Sequence, residues 1–264
     1  MAHPSVPHTI YAYAEFLGCA LGFLPPMAAS ALLHRGDPTH RLPGRWMRRF
    51  GRTSSRLSLT WDFSWDGTPP DDILRRAYVV VSNHESNADP FLISHLPWDM
   101  RWIAKEEIFK LPLIGLLMRA SGDIKLRRGD RSSISEMMKA CRATLDAGLP
   151  IMMFPEGTRS KDGTLLPFKD GAFELAIQAG VPILPLALTG TRDCMRKGAM
   201  AIGKARGKVR VLPAIDTRGM TRADVGSLRD RTRAVIATAA EELRGERASE
   251  GRAADAGERV SAGV

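Results

Sequence analysis

Val79-Val80-Val81-Ser82-Asn83-His84-Glu85-Ser86-Asn87-Ala88-Asp89-Pro90 is the stretch whose reading decides the fold. With Ala77 and Tyr78 before it, the valine run is short, apolar and β-branched, as a buried strand is. Ser86 or Asn87 offers a helix N-cap and Pro90 suits a first helical turn, so a helix follows closely. His84 then falls in a strand-to-helix loop, with Asp89 at the spacing H-x-x-x-x-D. An Asp in the first turn can fold back, accept a hydrogen bond from one imidazole nitrogen, and leave the other free to take a substrate proton. The pair reads as a general base with its orienting group. The plainer alternative is a carboxylate favoured by a helix N-terminus beside an ordinary loop histidine.

Phe154-Pro155-Glu156-Gly157-Thr158-Arg159-Ser160 supplies a second loop, directly after the apolar run Leu149-Pro150-Ile151-Met152-Met153. Glycine lets the backbone approach a ligand, the Thr158 and Ser160 hydroxyls can donate hydrogen bonds, and the Arg159 guanidinium can grip a phosphate through two parallel bonds. Taken alone, E-G-T-R reads as a tight turn with a surface arginine. Two strand-end loops of this chemistry in one chain favour an anion site.

These two stretches resemble the first and third signature blocks of the glycerophospholipid acyltransferases, specifically the bacterial lysophosphatidic acid acyltransferase family. The family's second block is similar to Lys105-Glu106 through Pro112, Gly115, Ser121-Gly122, Ile124 and Arg128, and its fourth to Val181-Pro182-Ile183-Leu184-Pro185-Leu186. The likeness covers 79–188, with the blocks in the family's order. It departs at Glu85, where an uncharged or basic residue is more usual; that bears on substrate preference rather than on the chemistry.

The resemblance implies a mixed β-sheet covered by helices, and an acyl group passed from a thioester to the sn-2 hydroxyl of lysophosphatidic acid. His84 and Asp89 would be catalytic. Arg159, with Gly157, Thr158, Lys105 and Arg128, would hold the acceptor phosphate. Glu156 belongs to the same block, where it would position Arg159 or bind a glycerol hydroxyl. The donor would be acyl-coenzyme A or acyl carrier protein, with no cofactor and no metal. Direct attack by the acceptor is expected: no G-x-S-x-G elbow provides a serine nucleophile, and Ser86 reads as structural. Rival readings keep the fold but use another lysolipid or glycerol 3-phosphate as acceptor, turn the dyad on water as a thioesterase, or bind lipid without catalysis.

Composition agrees. The net charge of +9 over 264 residues favours an anionic partner, and 6% aromatics with no nucleic-acid module leaves a membrane surface ahead of nucleic acid. Cys19, Cys141 and Cys194 show neither metal-ligand spacing nor an even-numbered framework, which fits a reducing compartment.

Residues 10–33 are apolar, with Glu15 as the only charge and Pro25-Pro26 mid-segment, and read as two short helices hinged at the prolines. Residues 1–9 lack Lys and Arg, against a cleaved secretory signal. Arg35, Arg41, Arg45, Arg48, Arg49, Arg52 and Arg56 follow and would face anionic headgroups. The expected domains are an apolar hairpin with its basic segment at 1–58, a catalytic domain at 59–243, and a disordered tail at 244–264. The expected location is the cytoplasmic face of the cell membrane, monotopic or peripheral. The remaining pattern predicts strands at 61–67, 99–104 and 209–212, and helices at 108–119, 132–147, 171–179 and 225–243. The acyl chain would lie against 111–118 or the N-terminal hairpin.

Overall fold

The computed structural model describes residues 6–160, 162–195 and 201–261, so the reading of residues 1–9 falls partly outside it. The strands are β1 (Trp61–Gly67), β2 (Val79–Ser82), β3 (Arg101–Lys105), β4 (Ile124–Leu126), β5 (Ile151–Met153), β6 (Ile183–Thr189) and β7 (Ala205–Val211). They form one sheet in the order β1-β7-β6-β2-β5-β3-β4. β6, β2, β5, β3 and β4 run parallel; β7 pairs antiparallel with β6, and β1 parallel with β7, which makes the sheet mixed.

Side-chain alternation along the central strands divides the core into two layers. Val79, Val81, Ile151, Ile183 and Ala187 face the layer covered by α6 (Arg131–Asp146), α7 (Gly171–Ala179) and α8 (Val225–Ser261). Tyr78, Val80, Met152, Leu184, Leu186 and Leu188 face the other, where α3 (Asp89–Ile93) and the segment carrying Trp98 and Met100 close the core. Strands buried on both faces read as continuous apolar runs, which is why β2 and β5 stand out in the sequence. Asp130 caps α6 by accepting from the backbone of Ser132 and Ser133, and Gly180, at φ 64°, ends α7.

The N-terminal segment differs from the hinged reading. α1 (Val6–Leu33) is one continuous helix with Pro25 and Pro26 inside it, about 42 Å long at 1.5 Å per residue. Phe16, Ala20, Phe23, Leu24 and Met27, on both sides of the proline pair, share the face that packs on Phe50, Trp46 and Met47 of α2 (Arg41–Leu57). Packing along that single stripe keeps the helix continuous where proline alone would break it. The hairpin is therefore α1 against α2.

The arginines of α2 also serve another purpose than expected. Arg48 is buried and donates to the carbonyls of Ile93 at 3.1 Å and Leu96 at 2.9 Å, Arg45 pairs with Asp99 at 2.7 Å, and Arg41 reaches the Gly148 carbonyl at 3.2 Å. These three dock α2 on the sheet domain, and Arg35, Arg49 and Arg56 stay on the exterior. The tail expected to be disordered continues α8 as helix to Ser261.

The predicted helix at 108–119 is two, α4 (Glu106–Phe109) and α5 (Ile114–Ala120). Pro112 cannot donate, and the chain turns at Leu113 with φ 65°, where Ile114 N–H bonds to the Pro112 carbonyl at 2.7 Å, a three-residue turn. Gly115 then packs so closely that a Cβ would lie 2.1 Å from the Phe109 carbonyl oxygen. Gly115→Ala should therefore destabilise the protein by about 1–3 kcal/mol in denaturant unfolding; unchanged stability would show that this turn is not packed as described.

Candidate active site

All five parallel strands point their C-terminal ends to one edge, the position where ligands bind in open α/β sheets. The loop after β2 carries His84 and the loop after β5 carries Phe154–Ser160. Lys105 ends β3 and Arg128 follows β4 at the same edge.

Asp89 organises this edge. It is fully buried, and its Oδ2 accepts from His84 Nδ1 at 2.6 Å, from Glu85 N–H at 2.8 Å and from Ser86 N–H at 3.1 Å, while Oδ1 accepts from the Thr191 hydroxyl. The expected N-cap at Ser86 or Asn87 is replaced by Ala88, because the Asp89 carboxylate turns back onto the loop it follows. Ser86 is structural: its hydroxyl accepts from Ala88 N–H at 3.2 Å and donates to the Met195 carbonyl at 3.1 Å. A carboxylate acceptor at Nδ1 means that this nitrogen carries the proton, leaving Nε2 with a lone pair. Nε2 has no hydrogen-bond partner among the described residues. The imidazole stacks on Phe154, with ring centroids 4.0 Å apart and planes 14° from parallel.

Both carboxylate oxygens of Glu156 are engaged by backbone groups. Its Oε1 accepts from the backbone N–H of His84 at 2.7 Å and its Oε2 from that of Leu166 at 3.0 Å. It locks the two signature loops together, helped by Ser160 N–H bonding to the His84 carbonyl at 3.0 Å. Burial pushes its carboxyl up to about 7 against the pull of those two N–H groups.

Gly157, Thr158 and Arg159 continue the loop at the open edge. Gly157 has φ +69°, which strains any side chain at 157, and the mobile end of Lys169 lies 2.9 Å from where its Cβ would be. Arg128 is close enough to Arg159 to feel its charge: desolvation pulls the Arg128 guanidinium below its ordinary range, Glu107 opposes this, and Arg159 adds to it. Two guanidiniums that repel one another beside a glycine turn suit a dianion between them. Lys105 is exposed at the neighbouring strand end. Among the described residues, no cluster of three or more His, Cys, Asp or Glu is placed to hold a metal ion.

Several residues that shape the site escaped the sequence reading. Asn83 pins the His84 loop to β6, exchanging hydrogen bonds of 2.9 Å with both the N–H and the carbonyl of Leu188. Thr191 reaches Asp89 from over a hundred residues away and carries no motif of its own. Phe154 was visible as the first residue of its block, and its stacking was not. A groove of about 590 Å³ lies apart from this chemistry, between α1 and α2, lined by residues including Gly18, Cys19, Gly22 and Trp46.

The sequence profile of the acyltransferase family matches residues 68–189, which hold both loops. The chain is 39% identical over 170 residues to human 1-acyl-sn-glycerol-3-phosphate acyltransferase alpha, covering 63% of this chain and 59% of that one. It is 38% identical over 149 residues to the 1-acyl-sn-glycerol-3-phosphate acyltransferase of Limnanthes douglasii, covering 56% and 53%. The chain thus spans somewhat over half the length of these curated relatives. The crystal structure of the 1-acyl-sn-glycerophosphate acyltransferase PlsC from Thermotoga maritima superposes with a TM-score of 0.73 at 26% identity, over 89% of this chain and 96% of that one.

Glu85 is buried beside Asp89. Burial, then the Asp89 charge, pushes its carboxyl up to about 7, opposed by Arg244 and by the backbone N–H groups of Gly190 and Arg192. An acid whose pKa rises on folding favours the native state fully below its unfolded value of 4.5, and that contribution is lost as pH rises through about 7. Glutamine lacks this cost. Glu85→Gln should therefore gain stability relative to wild type between about pH 5 and pH 8, by up to about 3 kcal/mol in unfolding free energy; a difference that does not change with pH would contradict the burial of this carboxyl.

Proposed function

We propose that this chain is an acyltransferase of the kind whose profile it matches over residues 68–189, and that it moves a fatty acyl group from an acyl thioester to the sn-2 hydroxyl of lysophosphatidic acid, giving phosphatidic acid for phospholipid synthesis. The observation that carries this reading is the buried Asp89 carboxylate fixing His84 Nδ1 at 2.6 Å, which leaves Nε2 as a base at the open edge. Nε2 takes the proton of the acceptor hydroxyl as its oxygen attacks the thioester carbonyl. The tetrahedral adduct collapses, the C–S bond breaks, and the thiolate takes the proton back from Nε2. No enzyme nucleophile is required.

Arg159, with Arg128 nearby and Lys105 on the adjoining strand end, provides the cationic side on which the acceptor phosphate would sit, and the glycine turn at 157 lets backbone approach it. Glu156 acts on the histidine loop and is not assigned to the phosphate. The donor is acyl-coenzyme A or acyl carrier protein; both are acidic, and a net charge of +9 suits either. The reaction needs neither cofactor nor metal.

The acceptor is a lipid, and the surface fits that. α1 exposes Ile10, Leu17, Leu21, Leu32 and Leu33, an apolar strip suited to the bilayer, with Arg35, Arg49 and Arg56 beside it for anionic headgroups. This supports attachment at the cytoplasmic face of the cell membrane. Because α1 is continuous, spanning is as open to it by length as lying in the interface.

The test is transfer of labelled acyl-coenzyme A to lysophosphatidic acid in mixed micelles, following thiol release and lipid product together. Wild type should make phosphatidic acid, His84→Ala should lower kcat by about 10²–10⁴-fold, and Arg159→Ala should raise KM for the lysolipid about tenfold or more. Thiol release that is indifferent to lysolipid would replace the reading with a thioesterase.

A further inference from the structure

We propose that Arg244 is a positioning residue for the His84–Asp89 pair, acting from α8 through the buried carboxylate of Glu85. Asp89 is gripped from two sides, by the N–H groups of Glu85 and Ser86 and by the Thr191 hydroxyl. Glu85 joins those two sides: its Oε2 accepts from Gly190 N–H at 3.0 Å, which ties the histidine loop to the turn that bears Thr191. Its Oε1 lies 4.0 Å from an Arg244 guanidinium nitrogen. The groups facing Glu85 are thus Asp89 from α3, Arg244 from α8, and the backbone N–H groups of Gly190 and Arg192.

The same guanidinium donates to the Gly163 carbonyl at 2.7 Å. Gly163 N–H bonds to the Ser160 hydroxyl at 2.9 Å, and Ser160 N–H to the His84 carbonyl at 3.0 Å, so Arg244 touches the second signature loop as well as the first. Arg247, one turn on, lies 3.6 Å from Asp193 and crosses Gly190 where a Cβ would sit 2.8 Å from its guanidinium carbon. Between them Glu246 fastens the helix to the far strand through Lys208 at 2.9 Å and Arg210 at 2.8 Å. α8 is therefore a strut from β7 to the back of the catalytic loops.

Electrostatics gives the strut its purpose. Glu85 and Asp89 are adjacent buried carboxylates, and like charges at such range push one another apart. Displacing Asp89 would uncouple it from His84. Arg244 supplies the opposing charge, 4.0 Å from Glu85 Oε1, so the loop keeps both carboxylates in place.

This inference rests on the acyl-transfer reading, and the experiment separates the two. Purified full-length wild type, Arg244→Ala, Arg244→Lys, Glu85→Gln and the Arg244→Ala/Glu85→Gln double variant are compared for kcat and for KM of acyl-coenzyme A and lysophosphatidic acid. Arg244→Ala should lower kcat about tenfold, the usual order for losing one charge-assisted contact. Both KM values should stay within about twofold, Arg244→Lys should restore most of kcat, and the double variant should be no worse than the worse single one. Wild-type kcat in folded Arg244→Ala, a loss expressed in KM, or losses that multiply in the double variant would overturn the inference. Should Arg244→Ala not fold, the Glu85→Gln background decides, since it keeps the volume and removes the charge that Arg244 opposes: adding Arg244→Ala there should cost no kcat, and a tenfold loss in that background overturns the inference. A wild type that makes no phosphatidic acid would strike the acyl-transfer reading instead.

Discussion

One buried carboxylate holds this site together. Asp89 has no exposed surface, and an ionised group so placed is tolerated only when donors surround it. Here the donors come from His84, from the backbone of Glu85 and Ser86, and from Thr191 beyond β6. The donors tie two parts of the chain, the loop after β2 and the turn after β6, to the same carboxylate. The geometry at His84 is therefore a consequence of satisfying one charge, and a change to either the loop after β2 or the turn after β6 is felt at His84.

Two further acids extend the same logic outward. Glu156 bonds the His84 backbone to Leu166, and Glu85 bonds the histidine loop to Gly190. Both are pushed up to about 7 by burial. α8 answers them with cations: Arg233 donates to the Leu165 and Leu166 carbonyls beside Glu156, and Arg244 lies beside Glu85. The acidic side of the loops is thus enclosed in protein, while Arg159 and Arg128 stand at the open edge. Separating the charges this way keeps the acids inside and leaves the Arg128 cation exposed.

The sheet and the His84–Asp89 pairing are legible in the sequence because local signals coincide there. Valines at 79–81, the residues at 151–153 and the glycine stop at 180 each report a local conformation, and the loops follow directly from their strands. What escaped was set by contacts between distant segments. Pro25 and Pro26 would break a lone helix, and only packing against α2 keeps α1 whole. Arg48 reads as one more basic residue in a run, yet it is buried on carbonyls of another element. Glu156 sits in a block whose neighbours suggest phosphate, and its partners are backbone groups that no pattern announces. The residues from 244 onward look like a solvated tail because their counter-charges, Glu85 and Asp193, lie far back in the chain.

The central claim is that Asp89 fixes His84 with its proton on Nδ1 and a bare Nε2. Nitrogen-15 magnetic resonance of the histidine ring in the full-length protein reads this directly, on the neutral imidazole. The Asp89 acceptor at Nδ1 predicts the Nδ1–H tautomer for His84, with Nε2 showing the shift of an unprotonated nitrogen. Finding the proton on Nε2 would contradict it, because the nitrogen facing the open edge would then be a donor and could not take the proton of an attacking hydroxyl.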